Sequence, residues 1–382
     1  MTPRLRPWCL IATTLLATVP RAALSWTAWA QEAPLLLAEA SYLPTKSPSG
    51  DARPRRPLCR GERDRAGGGE TPPLGRGMTA GMHDAIQSAY LAPEGLDAVM
   101  AQSLDRLGAG PLHWHGRLAL SAVPPVACPW AQDTWTAPAE YPAPSVKAAA
   151  DALRGVQRNW AGYAAGHHRR TALIEARLPP VKATPLVFPA PAPAAHLGAW
   201  TLLAHDRLLA SPSTDSPVPL GAWRFEEDHI GPPSRAYLKL WEALTRLGTH
   251  PGPGDACLDL GASPGGWTWV LAQLGAAVTA VDKAPLDPRI AALPNVDQVI
   301  DSAFALEPRP VDWLVCDVIA YPARTLALLE RWLPFARHVV CTVKFQGDTD
   351  HDTADRIAAL PGVRLVHLHH NKHELTVLAG PG

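Results

Sequence analysis

The sequence predicts an α/β fold: a mostly parallel sheet with an antiparallel edge strand, preceded by a smaller α+β region. Three observations carry this. Residues 256–282 read as strand, glycine turn, helix and strand, with an apolar run at 256–260, a tight turn at 261–266, helical spacing at 267–274 and a second apolar run at 277–281 that ends in Asp282. Beyond it, short apolar runs alternate with segments of helical period, the pattern of strands joined by crossover helices. Ahead of it, proline-rich connections separate a sparser set of elements; the chain's 41 prolines in 382 residues are about twice the usual share.

Composition bounds the rest. A hydrophobic content of 47% supports a sizeable core and excludes global disorder. The six cysteines, Cys9, Cys59, Cys128, Cys257, Cys316 and Cys341, form no C-x-x-C pair and no metal-ligand spacing, and three fall in predicted buried strands, which suits a reducing compartment. The zero net charge hides an asymmetry: residues 1–77 hold 11 basic against 6 acidic side chains, and the remainder 24 against 29. Any polyanion bound by the mildly acidic remainder must therefore meet a local basic face.

Residues 1–31 have the layout of a secretory signal, with Arg4 and Arg6 ahead of an apolar run at 9–19 and Ala28-Trp-Ala30 as a cleavage-like site. The run is too short and interrupted for a transmembrane helix, and no disulfide framework follows. Residues 40–77 are rich in Pro, Gly and Arg without periodicity. The whole of 1–77 reads as a disordered leader, signal-like or produced by a misassigned start, with Met78 and Met82 as alternative starts.

Residues 87–220 form the smaller region. A strand is expected at 87–92 and an amphipathic helix at 95–107. A longer helix is expected at 145–163, where Val146, Ala149, Leu153, Val156, Trp160 and Tyr163 fall mostly on one face. Between Lys147 and Lys182 seven basic residues face only Asp151 and Glu175, with His167 and His168 among them. This stretch reads either as a phosphate-gripping surface or as a solvated helix face. A proline linker runs into a hairpin at 190–206, a Pro/Ser loop follows at 211–219, and the boundary with the next domain falls near residue 220.

In 221–382 a helix opens after Pro232 and Pro233, with Ser234 as a candidate cap. After the 256–282 unit come a strand at 295–300 followed by Asp301, a buried strand at 311–316 with Asp317 at its end, a helix at 323–333, a strand at 338–343 with Lys344 at its end, a helix at 353–360, and a closing hairpin of 363–369 with 375–378. Ligands of such sheets bind outside the carboxyl ends of the strands. Asp317 and Lys344 fall there, and Lys239 and Glu374 can reach the same edge. Lysine is scarce, seven against 28 arginines, so two lysines around one cleft point to chemistry that arginine, which cannot lose its proton, would not serve. Asp282, about 20 residues past the glycine turn, is placed to accept both hydroxyls of a ribose. The turn itself, Asp259-Leu-Gly-Ala-Ser-Pro-Gly-Gly266, is neither G-x-G-x-x-G nor a P-loop, and it suits a ligand with a ribose and an amino-acid tail. His367, His369, His370 and His373 lack a joining carboxylate or cysteine, and no metal site is read there.

The glycine turn resembles motif I of Rossmann-like S-adenosylmethionine (SAM) dependent methyltransferases. Lys239 in SRAYLKL, Asp317 in VCDV, Lys344 in TVKF and Glu374 in HELTV are similar, in order and context, to the Lys-Asp-Lys-Glu tetrad of FtsJ-type ribose 2'-O-methyltransferases. VDKAPLDP resembles that family's second-strand signature, and PPSRAYLKLWEA with the basic helix resembles the branch that methylates a cytidine of large-subunit (23S) ribosomal RNA. The resemblance covers 221–382 well, 87–220 loosely and 1–77 not at all. It implies S-adenosyl-L-methionine as cofactor, RNA as partner, a THUMP-like RNA-binding region at 87–220, and a cytoplasmic protein without a membrane anchor. It implies further that Gly261, Ser263, Gly265, Gly266 and Trp267 line the methionine part of SAM, although packing is the plainer role for Trp267 and Trp269. Asp282 then takes the ribose and Asp301 the adenine amino group, and no metal is needed. Lys344 is the implied general base, its proton loosened by Lys239 and partial burial, with Asp317 orienting it and Glu374 holding Lys239 or the ribose. Methylation of a base nitrogen is disfavoured, because Cys316-Asp-Val-Ile-Ala replaces the Asn/Asp-Pro-Pro-aromatic motif such sites use. A non-catalytic SAM- and RNA-binding assembly factor, or action on tRNA or an mRNA cap, remain as alternatives.

Overall fold

The computed structural model describes residues 85–381 apart from Lys182. The expectations for 1–77 and for starts at Met78 and Met82 lie outside the described residues. Two small sheets come first. Strands β1 (Ser88–Leu91), β2 (Leu112–His115), β3 (Leu118–Ser121) and β4 (Asp133–Trp135), with helix α1 (Asp97–Arg106), form an antiparallel sheet ordered β2-β3-β1-β4. Strands β5 (Ala139–Pro142), β6 (Trp160–Gly162), β7 (Gly198–Ala204) and β8 (Arg207–Ser211), with helices α2 (Val146–Val156) and α3 (His168–Glu175), form a second, ordered β5-β8-β7-β6 with β6 parallel to β7.

The helix expected at 145–163 is shorter than its apolar period. Ser145 caps α2 by accepting a bond from the Ala148 N–H at 3.0 Å. The chain leaves the helix at Gln157, and Trp160 turns its indole N–H back onto the carbonyls of Leu153 and Gln157, both at 3.0 Å. Trp160 then buries beside Ala149 and Leu153 from a strand. The period therefore continues because one core receives both elements, not because one helix spans them.

The third sheet contains α4 (Tyr237–Leu247), β9 (Ala256–Leu260), α5 (Gly266–Gln273), β10 (Ala277–Asp282), α6 (Pro288–Ala291), β11 (Val296–Ile300), β12 (Val311–Cys316), α7 (Pro322–Trp332), β13 (Ala336–Lys344), α8 (His351–Ala358), β14 (Val363–Val366) and β15 (Glu374–Ala379). Its order is β11-β10-β9-β12-β13-β15-β14. The first five strands run parallel, and β15 enters antiparallel between β13 and β14. The strand order reverses between β9 and β12, and such a switch point leaves a crevice at the carboxyl ends. Ser234 does not cap α4: the cap position is Ala236, without a side-chain bond, and the Ser234 hydroxyl is buried unpaired.

Alternation divides the strands between two cores. Leu258, Leu260, Leu314, Cys316, Val339 and Cys341 face one side and share a core with Tyr90, Met100 and Trp130 of the first sheet region. Cys257, Trp313, Val315 and Val340 face the other, against α4 and α5. Each such buried side chain contributes about 1.5–3 kcal/mol, so these cores hold the switch point rigid.

Candidate active site

Four strand or helix ends converge on the carboxyl edge beside the switch point. β12 delivers Asp317, whose N–H bonds the Leu260 carbonyl at 3.1 Å. The β13–β15 register sets Lys344 directly opposite Glu374. α4 brings Lys239 across from the other face. The Lys239 ammonium lies 3.1 Å from both Asp317 carboxylate oxygens and 3.1 Å from Glu374 Oε1. The Lys344 ammonium lies 2.9 Å from Asp317 Oδ1 and donates to the Asp317 carbonyl at 2.7 Å. All four residues predicted from the sequence as the catalytic set are thus brought together, with Asp317 between the two lysines. The immediate neighbour of Lys344 is the Asp317 carboxylate.

The electrostatics follow from this placement. Burial alone would lower the pKa of Lys239, but the Asp317 and Glu374 carboxylates outweigh it and hold the group above its ordinary value. Burial would raise Asp317, but Lys239 and Lys344 together, with the Thr342 hydroxyl, hold it below the usual carboxylate range. The Lys344 side chain is 20% exposed against 11% for Lys239, so Lys344 is the lysine that a ligand at this edge can reach.

Three supporting residues were not read from the sequence. The Thr342 hydroxyl donates to Asp317 Oδ1 at 2.6 Å; it lies two residues before Lys344 in β13, so strand alternation could have placed it on the same face. Asn371 donates to the Glu374 carbonyl at 3.2 Å and to Thr376 Oγ1 at 3.0 Å, and nothing local marks it. Asp259, wholly buried in β9 beneath the glycine turn, accepts from the Thr268 hydroxyl at 2.6 Å while its Oδ1 has no partner. Burial pushes its pKa up to about 7. A carboxylate inside an apolar strand was itself the available signal.

The same edge carries the residues predicted to hold a cofactor. Asp282, at the end of β10, accepts from the Ser263 N–H at 3.0 Å and the Ala284 N–H at 2.9 Å. Asp301 is exposed just past β11, and its N–H bonds the Asp282 carbonyl at 3.1 Å, so both acids share one border. The Ser263 hydroxyl donates to the Pro285 carbonyl at 2.9 Å. Gly261 has φ +78°, and a Cβ there would lie 2.8 Å from Val318 Cα, so it is glycine because the loop after β12 packs on it. Gly265, at φ +110°, turns the chain into α5, and Gly266 begins that helix. The Trp267 indole is buried and donates to the Ala236 carbonyl at 2.8 Å, so only its backbone remains for a ligand.

Two expectations are corrected. β14 ends at Val366 and not at residue 369, so His367 and His369 lie in the turn beyond it; the His367 ring hydrogen-bonds the Lys372 carbonyl at 3.0 Å. The basic stretch is only partly an open cationic surface among its described residues. Lys147 and Arg154 both pair with Asp151, Arg154 also donates to the Arg177 carbonyl, and Arg170 donates to the Ala143 carbonyl.

Residues 232–354 match the FtsJ-like methyltransferase family. The chain carries an FtsJ-like methyltransferase domain. Lys239, Asp317 and Lys344 lie inside the matched residues and Glu374 beyond them. The chain has relatives named "Ribosomal RNA large subunit methyltransferase M": one from Halorhodospira halophila is 41% identical over 160 residues, covering 38% of this chain and 47% of the relative. One from Azotobacter vinelandii is 35% identical over 188 residues, covering 44% and 53%. One from Xanthomonas campestris pv. campestris is 35% identical over 198 residues, covering 47% and 56%. The chain thus spans about half the length of the curated relatives it matches. Among the described residues no helix is long and apolar enough to cross a membrane.

Proposed function

We propose that this chain transfers a methyl group from SAM to a ribose 2'-hydroxyl of RNA, with a cytidine of 23S ribosomal RNA as the target, in the cytoplasm. The observation that carries the reading is the contact of Lys239, Asp317, Lys344 and Glu374 at one sheet edge beside the switch point. The names of the matched relatives support the target. Free, buried Cys128, Cys257, Cys316 and Cys341 suit a reducing compartment. Residues 87–220 serve in this reading as a THUMP-like RNA-binding region, and residues 221–382 as the methyltransferase domain.

The residues present fit the cofactor. Asp282 is held by two backbone N–H groups with lone pairs left for ribose hydroxyls, and the orphaned Asp259 Oδ1 beneath the turn calls for a donor such as the amine of an amino-acid tail. Asp301 stands where it would meet an adenine amino group, and the backbone of Gly261, Ser263, Gly265, Gly266 and Trp267 would border the methionine part. SAM would supply a methyl group on a sulfonium, whose sulfur departs as a neutral thioether, an excellent leaving group.

What remains for the protein is positioning and a proton. Lys239, held above its ordinary pKa between two carboxylates, stays charged and organises Asp317 and Glu374. Lys344, the more exposed lysine, enters as the free amine and takes the proton of the 2'-hydroxyl as the oxygen attacks, becoming an ammonium; Asp317, steadied by Thr342, fixes its direction. Holding oxygen, methyl carbon and sulfur in line is worth several kcal/mol of barrier, about 7–11 kcal/mol at best. Methyl mapping of ribosomal RNA from cells lacking the gene tests the reading. Loss of a single 2'-O-methyl mark in 23S rRNA is expected; an unchanged map would refute the proposed target.

A further inference from the structure

A cleft of about 1190 Å³ opens between the two small sheets and the turn that links β14 to β15. It contains none of the four tetrad residues. Its floor is apolar, with Leu91, Leu96, Leu197 and Leu220, and its margin carries Arg158, Arg224 and Lys372. All three of these cations are exposed, and among the described residues none has a carboxylate within ion-pairing distance. Glu94 is the one acidic residue of the lining. Of the other arginines of the basic stretch, Arg154 and Arg170 have internal partners and Arg169 and Arg177 lie outside the cleft, whereas Arg158 lines it.

The cleft is joined to the tetrad through a short piece of chain. Lys372 and His373 line it and immediately precede Glu374. Asn371 ties that turn to Glu374, and the His373 ring hydrogen-bonds the Thr349 hydroxyl at 2.7 Å. The turn that borders the cleft therefore leads directly into the strand that carries Glu374. An apolar floor with a cationic margin accommodates unstacked bases inside and phosphates at the rim. A duplex, recognised across its shallow minor groove and its paired backbones, would leave the floor unused.

Building on the RNA methyl-transfer reading, we propose that this cleft holds the single-stranded RNA adjoining the target nucleotide, with its bases against the apolar floor and its phosphates on Arg158, Arg224 and Lys372. The strand enters past β6 and leaves along the β14–β15 turn into the tetrad. Specificity for the sequence around the target then resides in the cleft rather than in the methyl-transfer site.

The test is the salt dependence of binding of a labelled, unstructured RNA oligonucleotide, measured by anisotropy across a KCl series on the full chain. The triple variant Arg158→Ala, Arg224→Ala, Lys372→Ala is expected to flatten the log–log salt slope by about 2 and to bind tens of fold more weakly at ~0.15 M salt. SAM binding and melting temperature should be unchanged, and the charge-preserving set Arg158→Lys, Arg224→Lys, Lys372→Arg should keep the wild-type slope. An unchanged slope in the triple alanine variant would overturn the cleft while leaving RNA methylation standing. Equal loss of binding to a blunt duplex would overturn the single-strand assignment. Cleft-dependent binding of polyglutamate, with RNA binding intact, would assign the surface to an acidic protein and overturn it too. Absence of salt-dependent RNA binding by the wild-type chain would sink the RNA reading itself, and the cleft with it.

Discussion

Lys344→Arg separates chemistry from charge. In the structure the Lys344 ammonium has two partners, Asp317 Oδ1 at 2.9 Å and the Asp317 carbonyl at 2.7 Å. A guanidinium keeps the positive charge and can still donate to that carboxylate, so the ion pair survives and stability should fall by no more than about 1 kcal/mol. What arginine cannot do is accept a proton at any working pH. Removing a general base costs roughly 10²–10⁴ in rate, on the order of 3–5 kcal/mol of barrier. Lys344→Ala should lose as much rate and somewhat more stability, about 1.5–3 kcal/mol per charged hydrogen bond, limited because Asp317 retains Lys239 and Thr342. The assay is single-turnover transfer of labelled methyl to an RNA fragment, alongside SAM calorimetry and a urea titration. Transfer by Lys344→Arg within about tenfold of wild type would refute Lys344 as the proton acceptor.

Other outcomes follow from the same geometry. Lys239→Met leaves Glu374 without its ammonium partner and should lower unfolding free energy by about 3 kcal/mol, read as a lower urea midpoint; an unshifted midpoint would contradict the described pairing. Asp282→Ala removes the acceptor for ribose hydroxyls and should weaken SAM binding about 10–100-fold while RNA affinity is kept; equal weakening of both would remove Asp282 from the cofactor site. Asp259, raised by burial to about 7, has a folded pKa above its unfolded value, so its contribution to stability is complete below the unfolded pKa and is lost as pH rises through about 7. Glu242, wholly buried and also raised to about 7, acts in the same direction. Asp259→Asn should therefore flatten the fall in stability on the alkaline side and gain up to ~4 kcal/mol near pH 8, checked by urea titrations across pH; an unaltered pH slope would show that Asp259 is not buried as described.

The parallel sheet was legible because its strands are buried on both faces, leaving near-continuous apolar runs such as 313–316 in β12, which is followed by Asp317. The tetrad was legible for the same reason: Asp317 and Lys344 follow apolar strands directly, and lysine is rare elsewhere. Features that depend on tertiary pairing were hidden. Trp160 continues the period of α2 yet belongs to a strand, since sequence periodicity reports a shared core and not the element that reaches it. Ser234 has the right chemistry for a cap, but the helix starts later and the hydroxyl abuts Gly266 instead. The histidines after Val366 read as strand because alternation continues, while the chain has already turned under Lys372. Charge counts along 147–182 overstated the open basic surface, because pairing with Asp151 and with backbone carbonyls is invisible in a sum.

The most direct measurement is the chemical position of the transferred methyl. The protein is incubated with methyl-labelled SAM and unmodified 23S rRNA, and the RNA is digested to nucleosides and separated. Label is expected in 2'-O-methylcytidine, with its initial rate lowered roughly 10²–10⁴-fold by Lys344→Arg. Label on a base, or undiminished ribose label in that variant, would contradict it.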